Sequence, residues 1–206
     1  MPLDGDLDNT GPAPRTGGRV RSQDARDAVL RAAVELLEEV GYGRVTIEGV
    51  AARSGVAKST IYRWWKSKAT LVMEAYGHTV AKRVPEPDTG SLAGDLAAFL
   101  TELYRVADYP TRAKALRGLM AEAQLDPGFE GAFRDWAQGR RAVLAKLFGR
   151  AADRGELAPG LDVEYATDLV FGPFWYRLLV RHAPLAPAEA EAHATRLLAG
   201  LGGATL

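Results

Sequence analysis

From Val29 onward the apolar residues recur at three- and four-residue intervals: Val29, Ala32, Ala33, Leu36, Leu37 and Val40. That spacing places them in one stripe on a helix of 3.6 residues per turn. The same period returns in almost every later segment, and no segment alternates at the period of two that a half-buried strand needs. A chain patterned this way must build its core between helices, so an all-α fold is expected. Ser22 can cap the first helix, Asp24 suits its first turn and Gly41 can end it. Tyr42 then follows as a packing anchor. Thr46 is placed to cap a short second helix carrying Ile47, Val50 and Ala51, stopped by Gly55. Only about three residues separate it from a third helix in "VAKSTIYRWW", and two short helices around a tight glycine turn make a helix-turn-helix.

A fourth helix is expected from about Ser67 to Arg83, and "PEPDTGS" (85–91) reads as a linker. Five further helices are expected: 92–107, 112–125, one from "DPG" to about Arg154, one capped by Asp162 and running to about 181, and 187–201. The resulting division is an arm at 1–20, a helix-turn-helix domain at 21–66, a linking helix at 67–84 and a larger helical domain at 91–206. The arm is acidic and then rich in Gly and Pro, which predicts disorder.

The chain contains no cysteine, which excludes disulfides and thiolate chemistry. Its start lacks the basic and apolar regions of a signal peptide. The longest apolar run, "LVFGPFWY" (169–176), is far short of a membrane span, so a cytoplasmic protein without a membrane partner is expected. Net charge is zero, but eleven basic and six acidic residues lie between Arg15 and Lys68. A basic N-terminal third on an acidic remainder suits a part that touches a polyanion.

The outward face of the third helix carries groups suited to duplex DNA. Lys58 and Arg63 can meet phosphates or guanine edges, and Ser59 and Thr60 can donate to phosphates or bases. Tyr62 and Trp64 each offer a flat apolar body with one donor, and Lys68 stands in the first turn of the next helix. Adjacent Trp64 and Trp65 point about 100° apart on a helix, so Trp65 is expected to plug the three-helix core while Trp64 looks outward.

The run "TIEGVAARSGVAKSTIYRWWKSKATLV" resembles the DNA-binding signature of TetR-family transcriptional regulators, and "AVLRAAVELLEEVGYGRVT" fits that family's first helix. The resemblance covers about 26–76. Downstream, "FGPFWYRLLV" and "APL" are similar to a helix and loop near the end of many members. Two positions depart from the pattern. Gly49 lies inside the second helix, costing about 1 kcal/mol relative to Ala, and Trp65 stands where Phe is usual.

The resemblance implies a homodimeric all-helical repressor that sets each third helix in a major groove of a dyad-symmetric operator. By the same analogy Thr46, Arg53, Tyr62, Trp64 and Lys68 hold phosphates, and Lys58, Ser59, Thr60 and Arg63 lie nearest the bases. It also implies a pocket for a small inducer in the second domain, for which Phe99, Leu103, Met120, Phe133, Trp136 and Phe171 are the candidate lining residues. Gly172-Pro173 interrupts an all-round apolar segment, whose pairing with the last helix and their symmetry mates would form a four-helix dimer interface. Arg177 there needs a carboxylate or an exposed edge.

No catalytic residues, metal ligands or cofactor are expected. "GVAKST" lacks the glycines and preceding strand of a phosphate-binding loop, and His78, His182 and His193 lack metal-type spacing. The alternatives are a helical interaction protein, or an activator of the same fold without an inducer.

Overall fold

The computed structural model describes residues 16–84 and 86–202, and these are all-helical, with no strand among them. α1 runs Thr16–Val40, α2 Ile47–Ser54, α3 Lys58–Trp64 and α4 Lys68–Arg83. After a short connection come α5 (Leu92–Asp108), α6 (Pro110–Leu125), α7 (Pro127–Asp153), α8 (Val163–Val180) and α9 (Ala190–Gly202). A single 3₁₀ turn at Tyr42–Arg44 follows α1, and another at Pro187–Glu189 precedes α9.

Most boundaries follow from capping chemistry. Thr46 caps α2 by accepting from Gly49 N at 3.0 Å, and Gly55 ends it in the left-handed region at φ 71°. Ser67 and Thr70 form a reciprocal capping box at the start of α4. Ser91, Asp126 and Asp162 cap α5, α7 and α8 by accepting from the backbone N–H of Gly94, Gly128 and Tyr165. The start of α1 corrects the expectation from sequence. It takes in Thr16–Val20 from the segment assigned to the arm, so Ser22 and Asp24 lie within the helix rather than at its cap. Gly17 and Gly18 weaken this turn, but extending a formed helix costs far less than nucleating one. The rest of the expected arm, residues 1–15, lies outside the described residues.

Gly49 has a local role that its propensity hides. A Cβ there would stand 3.2 Å from Thr46 Oγ1 and 3.6 Å from Leu36 Cδ1, so the glycine lets the capped first turn of α2 lie close against α1.

Val29, Ala33, Val50, Ile61, Trp65 and Leu71 form the buried seam where α1–α3 meet α4. α4 then packs on α7, while α6 reaches back to α1 and the Tyr42–Arg44 turn. Tyr42, buried as expected, meets Phe129 of α7 with ring centroids 4.8 Å apart. Glu38 of α1 accepts from Arg83 of α4 at 2.8 Å and lies 3.8 Å from Arg112 of α6. The connection into α5 is tied down by charge. Buried Asp95 accepts from Thr89 N and Oγ1 at 2.6 and 2.8 Å, and Glu86 accepts from Lys146 and Arg150 of α7.

Candidate nucleic-acid interface and ligand cavity

Two places on this scaffold combine exposed or unpartnered polar groups with aromatic surface. The first is the edge of α3. Trp65, just past its end, is 2% exposed, and its indole N–H donates to Glu74 of α4 at 2.8 Å. Glu74 also accepts from Arg26 of α1 at 2.7 Å, and that guanidinium lies 5.1 Å from the Trp65 ring. The plug therefore joins α1, the end of α3 and α4 in one contact. Trp64 is half-buried rather than fully outward. It rests edge-on against Trp65 at 5.6 Å and carries Arg63 over its own ring at 5.9 Å.

Lys58, Ser59, Tyr62 and Arg63 are exposed, Thr60 is half-buried, and Tyr62 retains 48% of its surface. Lys58 forms an exposed pair with Glu48 of α2 at 3.1 Å. Arg53 forks onto Glu39 of α1 at 2.6 and 2.8 Å, with Glu35 at 3.8 Å. The hydrogen bond from Arg53 holds the Glu39 carboxyl below its ordinary range. Lys68 is half-buried, donates to the Tyr42 carbonyl at 3.2 Å and lies 4.1 Å from the Tyr42 ring centre. Burial, then the charges of Glu122 and Asp126, push the Tyr42 phenol up to about 12, so Lys68 rests on a neutral ring. Thr46 is exposed beside this edge and uses its oxygen as the cap of α2, leaving its hydroxyl hydrogen to donate elsewhere. The nine sequence-derived candidates thus lie on the stretch from the cap of α2 through α3 to the first residue of α4, and Arg53, Lys58 and Lys68 already have intramolecular partners there.

The second place is a cavity of about 290 Å³ between α4, α5, α6, α7 and α8. Its lining includes Leu103, Trp136 and Phe171 from the expected set, joined by Tyr76 and Val80 of α4 and by Arg140 of α7. Phe174 and Trp175 complete an aromatic wall from α8. Phe99, Met120 and Phe133 do not line it. Phe99 is buried behind the wall, 5.9 Å from the Phe171 ring. Phe133 packs behind Trp136 and Trp175. Met120 is half-buried where Gln124 donates to its sulfur. The helical stripe identifies these three as inward-facing, but a residue facing inward fills either core or cavity according to its neighbour across the interface.

Tyr76 is fully buried, and its hydroxyl has no partner among the described residues; nor has the buried indole N–H of Trp136. Burial raises the Tyr76 pKa and keeps its phenol neutral. Tyr76 lies on the linking helix α4, where periodicity marks it as inward-facing without showing that a cavity lies across from it. Arg140 left a visible signal. In Phe133, Trp136, Arg140, Leu144, Leu147 and Ala151 it occupies a position of the apolar stripe of α7, where a cation is out of place.

α8 has a further exposed face. Tyr165, Tyr176, Leu179 and Val180 keep 60, 60, 44 and 55% of their surface. The helix runs unbroken through Pro173. Arg177 finds Glu189 at 3.0 Å and the Pro184 carbonyl at 3.0 Å within the same chain. Among the described residues no helix is long and apolar enough to cross a membrane, and no three His, Asp or Glu are grouped to hold a metal ion.

A helix-turn-helix with an open polar edge, joined through one helix to a helical body around a cavity, defines a DNA-binding regulator by its architecture. Residues 29–75 match the bacterial regulatory proteins of the tetR family, and residues 86–197 match the tetracyclin repressor-like C-terminal domain. The chain is 37% identical over 164 residues to the HTH-type transcriptional regulator YdeS of Bacillus subtilis, spanning 79% of this chain and 82% of that one. It is 29% identical over 175 residues to the DNA-binding transcriptional repressor TetR of Mycobacteroides abscessus, spanning 77% and 84% of the two chains. The crystal structure of the TetR-family transcription regulator SCO0332 superposes with a TM-score of 0.77 at 34% identity, covering 88% of this chain and all of that one. The chain therefore belongs to the TetR family of transcriptional regulators.

Proposed function

We propose that this protein is a ligand-responsive repressor, acting in the cytoplasm as a homodimer on a dyad-symmetric operator and released by a small hydrophobic inducer. One observation carries the reading: only three residues separate the end of α3 from the start of α4, and the same α4 supplies Tyr76 and Val80 to the cavity wall. A molecule in the cavity presses on the element that aims the recognition helix. Trp136 sits closely on α4, since a Cβ at Gly77 would lie 3.1 Å from its Cδ1. Glu38, with Arg83 and Arg112, ties α1 into the same framework.

In the DNA complex, α3 lies in the major groove. Lys58, Ser59, Thr60 and Arg63 face the bases, and Thr46, Arg53, Tyr62, Trp64 and Lys68 hold the flanking phosphates. Arg53 reaches DNA by exchanging Glu39 for a phosphate oxygen and Lys58 by exchanging Glu48 for a base edge, small steps because both pairs are exposed to solvent and such pairs are weak. The apolar face of α8, with α9, is covered by a second copy, which fixes the spacing of the two recognition helices. Inducer binds better to the conformer with the wrong spacing and so releases the operator.

Duplexes enriched from a random pool by repeated binding to the protein test this directly. Enriched sequences should be dyad-symmetric, and protein carrying both Tyr176→Asp and Leu179→Asp should sediment as a monomer and lose them. Enrichment of asymmetric sites, or dimers that survive both substitutions, would contradict the proposal.

A further inference from the structure

The cavity holds a charge imbalance that the reading above does not use. Its charged lining residues are Arg140, Arg141 and Asp168. Arg141 is neutralised outward, by Asp168 and by Glu164 at 2.7 Å. Arg140 has no carboxylate within ion-pair distance among the described residues. One Nη2 hydrogen bond to the Val84 carbonyl at 3.0 Å and the face of Phe99 at 5.6 Å are its compensation. No other described residue accepts from it. Burial lowers its pKa, but a guanidinium is so strong a base that it stays protonated at neutral pH. Unlike a buried lysine or carboxyl, it cannot relieve its desolvation by changing charge. The same lining includes two residues with a buried polar group that has no partner among the described residues, the Tyr76 hydroxyl and the Trp136 indole N–H, and the second can only donate. The rest of the lining is apolar or aromatic: Val80, Leu103, Val106, Leu116, Phe171 and Phe174.

Resting on the reading of this cavity as the inducer site, we infer that the inducer is a compact apolar anion: an aromatic or alicyclic acid whose carboxylate docks on Arg140, with its body among the α7 and α8 rings. A carboxylate can accept from the guanidinium in the paired geometry that makes such contacts strong. The volume, about 290 Å³, lies at the lower end of ligand pockets, roughly 300–1,000 Å³, and so favours a one- or two-ring acid over a nucleotide-bearing molecule.

The test compares two probes of nearly equal shape, 2-naphthoate and 2-naphthamide, titrated calorimetrically into the full-length protein at neutral pH. Naphthoate should bind about ten-fold more tightly or better, as a charge-assisted pair requires. In Arg140→Met, whose fold is checked by circular dichroism and thermal melting, that preference should vanish while naphthamide binding persists; Arg140→Lys should retain most of it. Naphthamide binding as tightly as naphthoate to the unaltered protein would overturn the inference and leave the inducer site standing, without recourse to any variant. A preference that survives Arg140→Met would place the anion elsewhere and overturn it too. If neither probe binds, both the inference and the cavity reading fall.

Discussion

The cations at the edge of α3 and the cation inside the cavity are managed in opposite ways. Outside, Arg53 and Lys58 pair with Glu39 and Glu48, and Lys68 rests on Tyr42, each in contact with solvent. Inside, half-buried Arg140 lines the cavity with a carbonyl and a ring as partners but no acid. The difference teaches where each charge is meant to be spent. A solvent-exposed pair is weak enough to be exchanged for phosphate without harm to the fold. A desolvated guanidinium without an acid is a standing cost that an arriving anion removes. The first arrangement suits reversible contact with a polyanion, and the second suits selection of one small ligand.

The comparison breaks most visibly at the plug beneath the outer edge. Trp65→Ala should cost about 3–5 kcal/mol of stability, as loss of a buried aromatic does, and should also remove the indole hydrogen bond to Glu74. Chemical denaturation reads this as a lowered midpoint. If the cost were below about 1 kcal/mol, the outer edge would not stand on this packing.

A smaller effect separates the two kinds of cation. Arg63→Ala should weaken binding to the selected operator by about 1–3 kcal/mol and relax sequence preference at one position, with stability unchanged. Arg140→Met should leave operator affinity unchanged when no ligand is present, and should melt no lower than the parent, since it removes a desolvated charge. Fluorescence anisotropy and thermal melting on the same samples decide both. Equal losses of operator affinity in the two variants would erase the distinction between outer and inner cations.

Lys68→Ala sharpens the outer half. Its affinity should fall similarly on all duplexes, and the salt slope should shrink by about one counterion. An unchanged slope would mean that the contact with Tyr42 is the lysine's whole role. The smallest effect is expected for Glu39→Gln, which loosens the fork on Arg53. Stability should barely change, while operator affinity at low salt rises slightly. A fall in affinity would show that Glu39 positions Arg53 for DNA instead of competing with it.

The outer edge was legible in the sequence because it is local. Thr46, Gly55 and Trp65 announce their positions through caps and angular spacing within one short run, and the structure places them accordingly, with Trp64 turned only half outward. What the run could not tell is that Arg53 and Lys58 are already engaged, because their partners Glu39 and Glu48 lie on α1 and α2, where charge reads as a solvated face. The cavity was less legible because it belongs to five helices at once. Periodicity separates inward from outward but cannot tell Leu103, which meets empty space, from Phe99, which meets Phe171. The one local clue was Arg140, a charge on an apolar stripe.

The central claim is that the exposed edge of α3 reads duplex DNA and that occupancy of the cavity withdraws it. Anisotropy of a labelled operator obtained by selection, titrated with the full-length protein over a range of salt concentrations with and without saturating 2-naphthoate, measures both parts together. The account expects tight binding with a steep salt dependence in its absence and release in its presence. Binding that ignores salt, or a ternary complex in which operator and acid sit together without mutual loss of affinity, would contradict it.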